Sequence, residues 1–338
     1  STLMGRFHGG PAQVGVLSST LFGGVSGSAV ADASAIGSLM IPWHRRLGYP
    51  PAFSAATLAA AATIDILIPP SIPMILFALS ANASIAALFV AGIVPGLLMC
   101  AGFMGVCWWV GRRRGFPRDT TPFAWPAFRR HLLYASPALL LPVLIIVFLR
   151  LGIATPTEVA VLSTLYAGLV SAVVYRDLGW RRLNDAVVHA GLATGVVLLV
   201  IMASAAIGWL LTFDRMPDGI VQWVQSHVHS AWLVIVLMNL LMLFIGMFID
   251  LPAAVLLLTP VFVPLAQSIG MDMTQLGIMM VVNLALGLYT PPVGTTLFIT
   301  SSLARVKVGQ TVRELIPFYL VALAVLALVS YVPASILR

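Results

Sequence analysis

Hydrophobic residues fill long blocks of this chain, and polar residues gather in the short gaps between them. The apolar blocks cover roughly residues 12–44, 51–80, 84–110, 132–149, 156–175, 187–212, 231–269, 275–303 and 315–337. Blocks of this length with so few charges predict membrane-spanning helices. The first is too long for one crossing: as a single helix it would run about 50 Å, against a hydrocarbon core of about 30 Å. Small polar residues and helix breakers interrupt it between Gly23 and Asp32 (GGVSGSAVAD), and glycines 23, 24 and 27 are where a break costs least. A break leaves backbone N–H and C=O groups unpaired inside the membrane, which is tolerated only where they are buried in protein or line a polar cavity. Secondary transporters build ion and solute sites in this way.

The pattern repeats at an offset of 222 residues. Gly24 matches Gly246, Pro42 matches Pro264, Gly48 matches Gly270, and Pro69-Pro70 matches Pro291-Pro292. The counterparts of residues 135–222 fall before residue 1, so about 85–90 residues of a first copy are expected upstream. The loop after Pro42 is basic (His44, Arg45, Arg46), whereas its mate at 265–272 holds no Lys or Arg. Equivalent loops on opposite sides make the repeats inverted.

Basic residues then fix the orientation. If 187–212 crosses and 231–269 is one broken span, Arg305, Lys307 and Arg313 end on the wrong side. Reading 187–229 as a re-entrant hairpin restores the parity. Splitting 231–269 into two spans also restores it, but the equivalent stretch 12–44 has too few residues before Gly23 to cross.

Composition agrees with a polytopic membrane protein: 60% hydrophobic, 9% charged, mean hydropathy +1.03. The net charge of +7 lies in loops between spans and is no sign of a nucleic-acid partner. Cys100 and Cys107 share one apolar span and read as packed thiols, and the tryptophans read as interface markers. No histidine has zinc-site spacing backed by a carboxylate, and no Gly-rich Lys-Ser/Thr phosphate loop is present.

The candidate chemistry sits at four helix interruptions. They are Gly23–Asp32 and 68–71 (IPPS) in the first copy, and 246–250 (GMFID) and 289–294 (YTPPVG) in the second. Adjacent prolines remove N–H donors and free carbonyls one turn back. Carbonyls, hydroxyls and carboxylates form a hard-oxygen set suited to Na⁺, with H⁺ as the other coupling ion, and half-helix N-termini attract anions. Candidate cation-site residues are Gly24, Ser26, Ser28, Asp32, Asp250, Gly287, Thr290 and Pro291. Candidate substrate-site residues are Thr63, Asp65, Ser71, Asn283 and Thr295. Helix packing through small residues explains the serines equally simply, and Asp32 fits a helix cap as well as an ion site.

The ordered motifs FGGVSGSAVADASAIGSLMIP (22–42), ILIPPSIPM (66–74), IGMFIDLPAAVLLLTPVFVPLA (245–266) and NLALGLYTPPVGTTLF (283–298) resemble the large membrane subunit of TRAP (tripartite ATP-independent periplasmic) transporters. The resemblance implies an all-α, elevator-type ion-transporter fold in a bacterial inner membrane. It divides the chain into transport parts at 1–83 and 187–304, scaffold and arm helices at 84–186, and a C-terminal scaffold helix at 305–338. Only the tail of a first hairpin, about residues 1–10, would fall within this chain. The partners implied are a small four-helix membrane subunit, a periplasmic solute-binding protein and a Na⁺-coupled small organic acid.

Two residues depart from the family pattern. Asp65 stands where the family generally has Gly, and Thr296 where many members have Asn. A charge at mid-span costs roughly 2.5–3.5 kcal/mol on insertion scales, so Asp65 needs a cation, a partner or a proton. Either the ion or substrate site is altered, or the acid faces a watery crevice. A channel-like pore and a membrane-embedded hydrolase are the rival functions. The hydrolase lacks a histidine placed to activate Ser26 or Ser28.

Overall fold

The computed structural model describes residues 7–117, 125–228 and 230–333. Among these residues the chain forms fourteen α-helices and no strand. The first copy of the repeat contains α1 (Gly10–Ser26), α2 (Ala29–Arg46), α3 (Pro51–Asp65), α4 (Ile72–Ala81) and α5 (Ile85–Arg113). Next come α6 (Trp125–Arg150), α7 (Pro156–Leu169, closing in a π turn), α8 (Trp180–Phe213) and α9 (Met216–His227). The second copy contains α10 (Ala231–Gly246), α11 (Leu251–Ser268), α12 (Met273–Gly287), α13 (Thr295–Ala304) and α14 (Val308–Tyr331). The expected hairpin tail at residues 1–10 lies mostly outside the described residues.

The 222-residue offset carries into the helix boundaries. Helices α2 and α3 begin 222 residues before α11 and α12, and α4 and α5 begin 223 before α13 and α14. The Pro69-Pro70 and Pro291-Pro292 bonds are both cis. Contacts between the copies come in exchanged pairs. Helix α4 packs on α11 while α13 packs on α2, and α14 packs on α3 while α5 packs on α12. Such reciprocity is what a two-fold relation between the copies produces. Helices α3 and α12 lie at the centre, with every residue from Phe53 to Asp65 and from Leu276 to Gly287 buried. The alanine run at 59–62 lets neighbouring backbones approach α3 closely.

The structure corrects where the chain turns back. The block 12–44 is not one broken span. Gly27, at φ 65°, reverses the chain between α1 and α2, and His44 Nε2 bonds the carbonyl of Pro11 at 3.0 Å. The start of α1 and the end of α2 therefore meet, and the block is a hairpin whose tip is Gly27-Ser28. The second copy does the same. Tyr331 donates to the carbonyl of Trp232, at the start of α10 (3.3 Å). Gln275, just after α11, donates to the carbonyl of Ser330 (2.9 Å). Both ends of 231–268 thus lie beside the end of α14, and its tip is at 247–250.

The expected hairpin at 187–229 is replaced by a crossing helix. Gly208 lies against Pro260 of α11. The turn at Arg215 shares a cavity with Pro264 and Gln267 near the end of α11. The two helices run parallel, so this turn is level with the base of the second hairpin, not its tip. From Gly208, α8 runs back 28 residues, about 42 Å, and passes the tip of the hairpin to reach the far side. The turn was misassigned because parity alone does not distinguish a hairpin at 187–229 from one at 231–268.

With α8 crossing and α10–α11 returning, the basic loops share one end. Arg45 donates to the carbonyl of Ala304 (3.3 Å), and Arg114 pairs with Glu314 (2.8 Å). Among the described residues, six helices are long and apolar enough to cross a membrane. One of them, the 18-residue α11, folds back instead.

Cysteines introduced singly at Trp232 and Gln267 should be labelled by a membrane-impermeant maleimide from the same side, together with one at Arg215. Labelling of Trp232→Cys and Gln267→Cys from opposite sides would contradict the hairpin.

Candidate functional site

Four chain interruptions converge inside the molecule. A cavity of about 80 Å³ is bounded by Gly27 and Ser28 of the first tip, and by Asp250 and Leu251 of the second. Ile66 and Ile72 of the first helix interruption, Leu288 of the second, and Ala29, Val30, Pro73 and Pro252 give the rest of the lining an apolar character. Ser28 and Asp250, 222 residues apart in sequence, face the same space.

Each interruption exposes backbone groups that need partners. In the first copy, Asp65 supplies them. It is fully buried at the end of α3, where its Oδ1 accepts from the N–H of Gly27 (2.9 Å) and its Oδ2 from the N–H of Ser28 (3.2 Å). The carboxylate thus ties the hairpin tip to the interrupted helix. Gly23 makes room for it, since a Cβ there would lie 2.7 Å from Asp65 Cα and 3.0 Å from Oδ1. In the second copy the tie is backbone to backbone: Val293 N donates to the carbonyl of Met247 (3.2 Å). Gly287, the mate of Asp65, has no room for a side chain, because its Cβ would stand 2.2 Å from the carbonyl oxygen of Gly246.

The remaining candidates divide into three groups. Ser28 and Asp250 stand at the N-caps of α2 and α11 and line the cavity. Ser28 Oγ accepts from Ala31 N, so the cap of α2 is Ser28 and not Asp32. The Asp250 carboxylate makes no capping hydrogen bond. Ser26, at the end of α1, turns its hydroxyl to Ser28 N (3.3 Å).

A second group closes the interruptions. Ser71 Oγ donates to Ile66 O (2.5 Å) and caps α4, and Thr290 Oγ1 donates to Leu286 O (2.6 Å). Pro291 is half-buried beside the cis bond. Thr296 Oγ1 lies within hydrogen-bonding distance of Leu288 O (2.9 Å) and Ala59 O (3.1 Å), joining the two copies.

The third group lies off the cavity wall. Gly24 is pressed against Pro142 of α6. Thr63 bonds back to Ala60 O. Asp32 is fully buried, and the side chain that faces its carboxyl is Ser19. Thr295 Oγ1 is buried without a hydrogen-bond partner among the described residues. Asn283 Nδ2 donates to the carbonyl (3.0 Å) and Oδ1 (2.7 Å) of Asn239. Sequence reasoning missed Asn239, although a lone Asn in the apolar run of α10 was a visible signal.

The polar side chains of the cavity lining are the Ser28 hydroxyl and the Asp250 carboxylate, and both are hard oxygen donors of the kind that suits a hard cation. At about 80 Å³ it is far below the roughly 300–1,000 Å³ of pockets that enclose a whole organic ligand.

Replacing Asp65 by Ala would leave the Gly27 N–H without its acceptor and the Ser28 N–H with Ser26 Oγ alone, at roughly 1–3 kcal/mol for the buried group left unsatisfied. The melting temperature of the purified protein should fall accordingly, and Asp65→Asn, which keeps one acceptor oxygen, should lose less. Equal melting of wild type and Asp65→Ala would contradict the bridging role.

A family model described as "Tripartite ATP-independent periplasmic transporter, DctM component" matches residues 1–335. The chain is 56% identical to the uncharacterized protein y4mL of Sinorhizobium fredii, over 99% of this chain and 80% of that one. It is 37% identical to the C4-dicarboxylate TRAP transporter large permease protein DctM of Pseudomonas aeruginosa, over 98% and 77%. It is also 37% identical to the isethionate TRAP transporter permease protein DctMQ of Oleidesulfovibrio alaskensis, over 98% of this chain and 52% of that one.

Proposed function

We propose that this chain, which belongs to the DctM component family of tripartite ATP-independent periplasmic transporters, imports a small organic acid by coupling it to Na⁺. It is a multi-pass permease component of a transporter, not an enzyme. The family's large permeases work with a small membrane subunit and a periplasmic binding protein, and a DctMQ fusion exists among the relatives. For this chain we place the small four-helix subunit against the scaffold helices, in a bacterial inner membrane. The binding protein delivers the acid from outside.

One observation carries the proposal: Ser28 and Asp250, from two repeat-related hairpin tips, line a single cavity with both helix interruptions. The oxygen donors fit Na⁺, and Asp250 is the carboxylate that would hold it, with the Ser28 hydroxyl and the freed carbonyls beside it. A bound Na⁺ neutralises the acidic site and lets an anion approach the two helix N-termini. In this reading the hairpins and interrupted helices form the mobile unit of an elevator; its support is that α4 packs on α11 and α13 on α2, each copy's interrupted helix on the other's hairpin. A channel reading has less support, since the interruptions close on a small cavity instead of lining a passage.

NaCl should raise the melting temperature of the purified protein above that in choline chloride of equal ionic strength. A shift of about 2–4 °C corresponds to roughly 1 kcal/mol of linked binding. Asp250→Asn should abolish the difference. A wild type indifferent to Na⁺ would contradict the coupling.

A further inference from the structure

A second cavity of about 400 Å³ opens on the outer side of the first. The two lie along the same pair of helices. On α4, Ile72 borders the inner cavity while Leu76 and Ser80 border the outer. These residues are four apart and share one helix face. On α11, Pro252 borders the inner cavity and Leu256 and Pro260 the outer, again four apart. Helix α8 forms the third wall with Ser204, Gly208 and Trp209. Gly208 lies close to Pro260 without filling the space between them. Among the described residues the outer cavity has no charged side chain in its lining. Its polar groups there are the two serine hydroxyls, the Trp209 indole N–H and the backbone.

We infer that the solute is a monocarboxylate with an apolar body: its carboxylate docks at the inner cavity and its body lies along the α4–α11 face in the outer one. This rests on the transport reading above and narrows its substrate class. The inner cavity takes a carboxylate and a cation but not a whole acid. A dicarboxylate of the same length would place its second charge among Leu76, Leu256 and Trp209 without a cationic partner, which an apolar setting penalises heavily. An apolar body gains the burial that a charged one forfeits, and Trp209 offers a flat face to it.

The test uses the protein with its small subunit in phosphatidylcholine nanodiscs, probed with hexanoate, hexan-1-ol and succinate, each in NaCl and in choline chloride. Hexanoate in NaCl should raise the melting temperature by about 2–4 °C at a few times its Kd. Hexanol, succinate and hexanoate without Na⁺ should not. Gly208→Leu and Ala205→Phe, which fill the outer cavity, should each lose the hexanoate response and keep the Na⁺ response. Leu199→Phe, at a residue exposed on α8 outside the cavity lining, should keep both. An equal effect of hexanol would mark a groove for lipid chains and overturn the inference, as would an equal effect of succinate. If hexanoate does nothing while Na⁺ still stabilises wild type and not Asp250→Asn, the inference fails and the transport reading stands. If Na⁺ itself does nothing, the transport reading fails first.

Discussion

Helix ends buried at mid-membrane bring unpaired N–H and C=O groups with them, and the protein must supply the partners that water supplies elsewhere. Several residues at the interruptions answer to that constraint. Asp65 accepts from the tip of the first hairpin. Ser71 takes the carbonyl of Ile66. Thr296 stands against the carbonyls of Leu288 and Ala59 at once. Ser28 and Asp250, from two copies of one motif, are the polar side chains left lining a cavity that is otherwise apolar.

The two copies meet the requirement differently. The first ties its hairpin tip to its interrupted helix through a carboxylate, and the second does so through a backbone hydrogen bond. The difference follows from which backbone comes closest. Gly23 leaves space for a side chain at position 65, whereas Gly246 presses on Gly287 and leaves none. The mid-span charge that looked costly in the sequence therefore has two backbone donors. Among the described residues, buried polar groups without a hydrogen-bond partner occur near the interruptions, as at Thr295 Oγ1, and also at helix starts, as at Ser54 Oγ and Ser230 Oγ.

Much of this was legible in the sequence. The Gly and Pro landmarks at a 222-residue offset located all four interruptions, because a broken helix in lipid needs breakers and breakers survive in the text as Gly and Pro. The direction in which the chain leaves each break was not legible. A glycine permits both a kink and a reversal, and only tertiary contacts such as His44 with Pro11 reveal the reversal at Gly27. For the same reason α8 read as one leg of a hairpin: the charge pattern counts crossings but does not say which pair of helices fails to cross. For Asp65 the sequence leaves a cation, a partner or a proton open; the structure supplies backbone donors and sets the residue, fully buried, off the cavity lining. Its donors, Gly27 and Ser28, lie 38 and 37 residues away and carry no side-chain signal for that bond. Thr296 shows the opposite case, where a departure from the family pattern proves to bridge the two copies.

The central claim is that the two hairpin tips meet at one shared cavity. Its most direct test replaces Ser28 and Asp250 together by cysteine, in a background where Cys100 and Cys107 are serine, and treats the membranes with a short bifunctional thiol reagent. Efficient intramolecular cross-linking, with none in either single variant, is the expected result. A double variant whose two thiols react freely with monofunctional reagent yet never cross-link would place the tips apart and contradict the account.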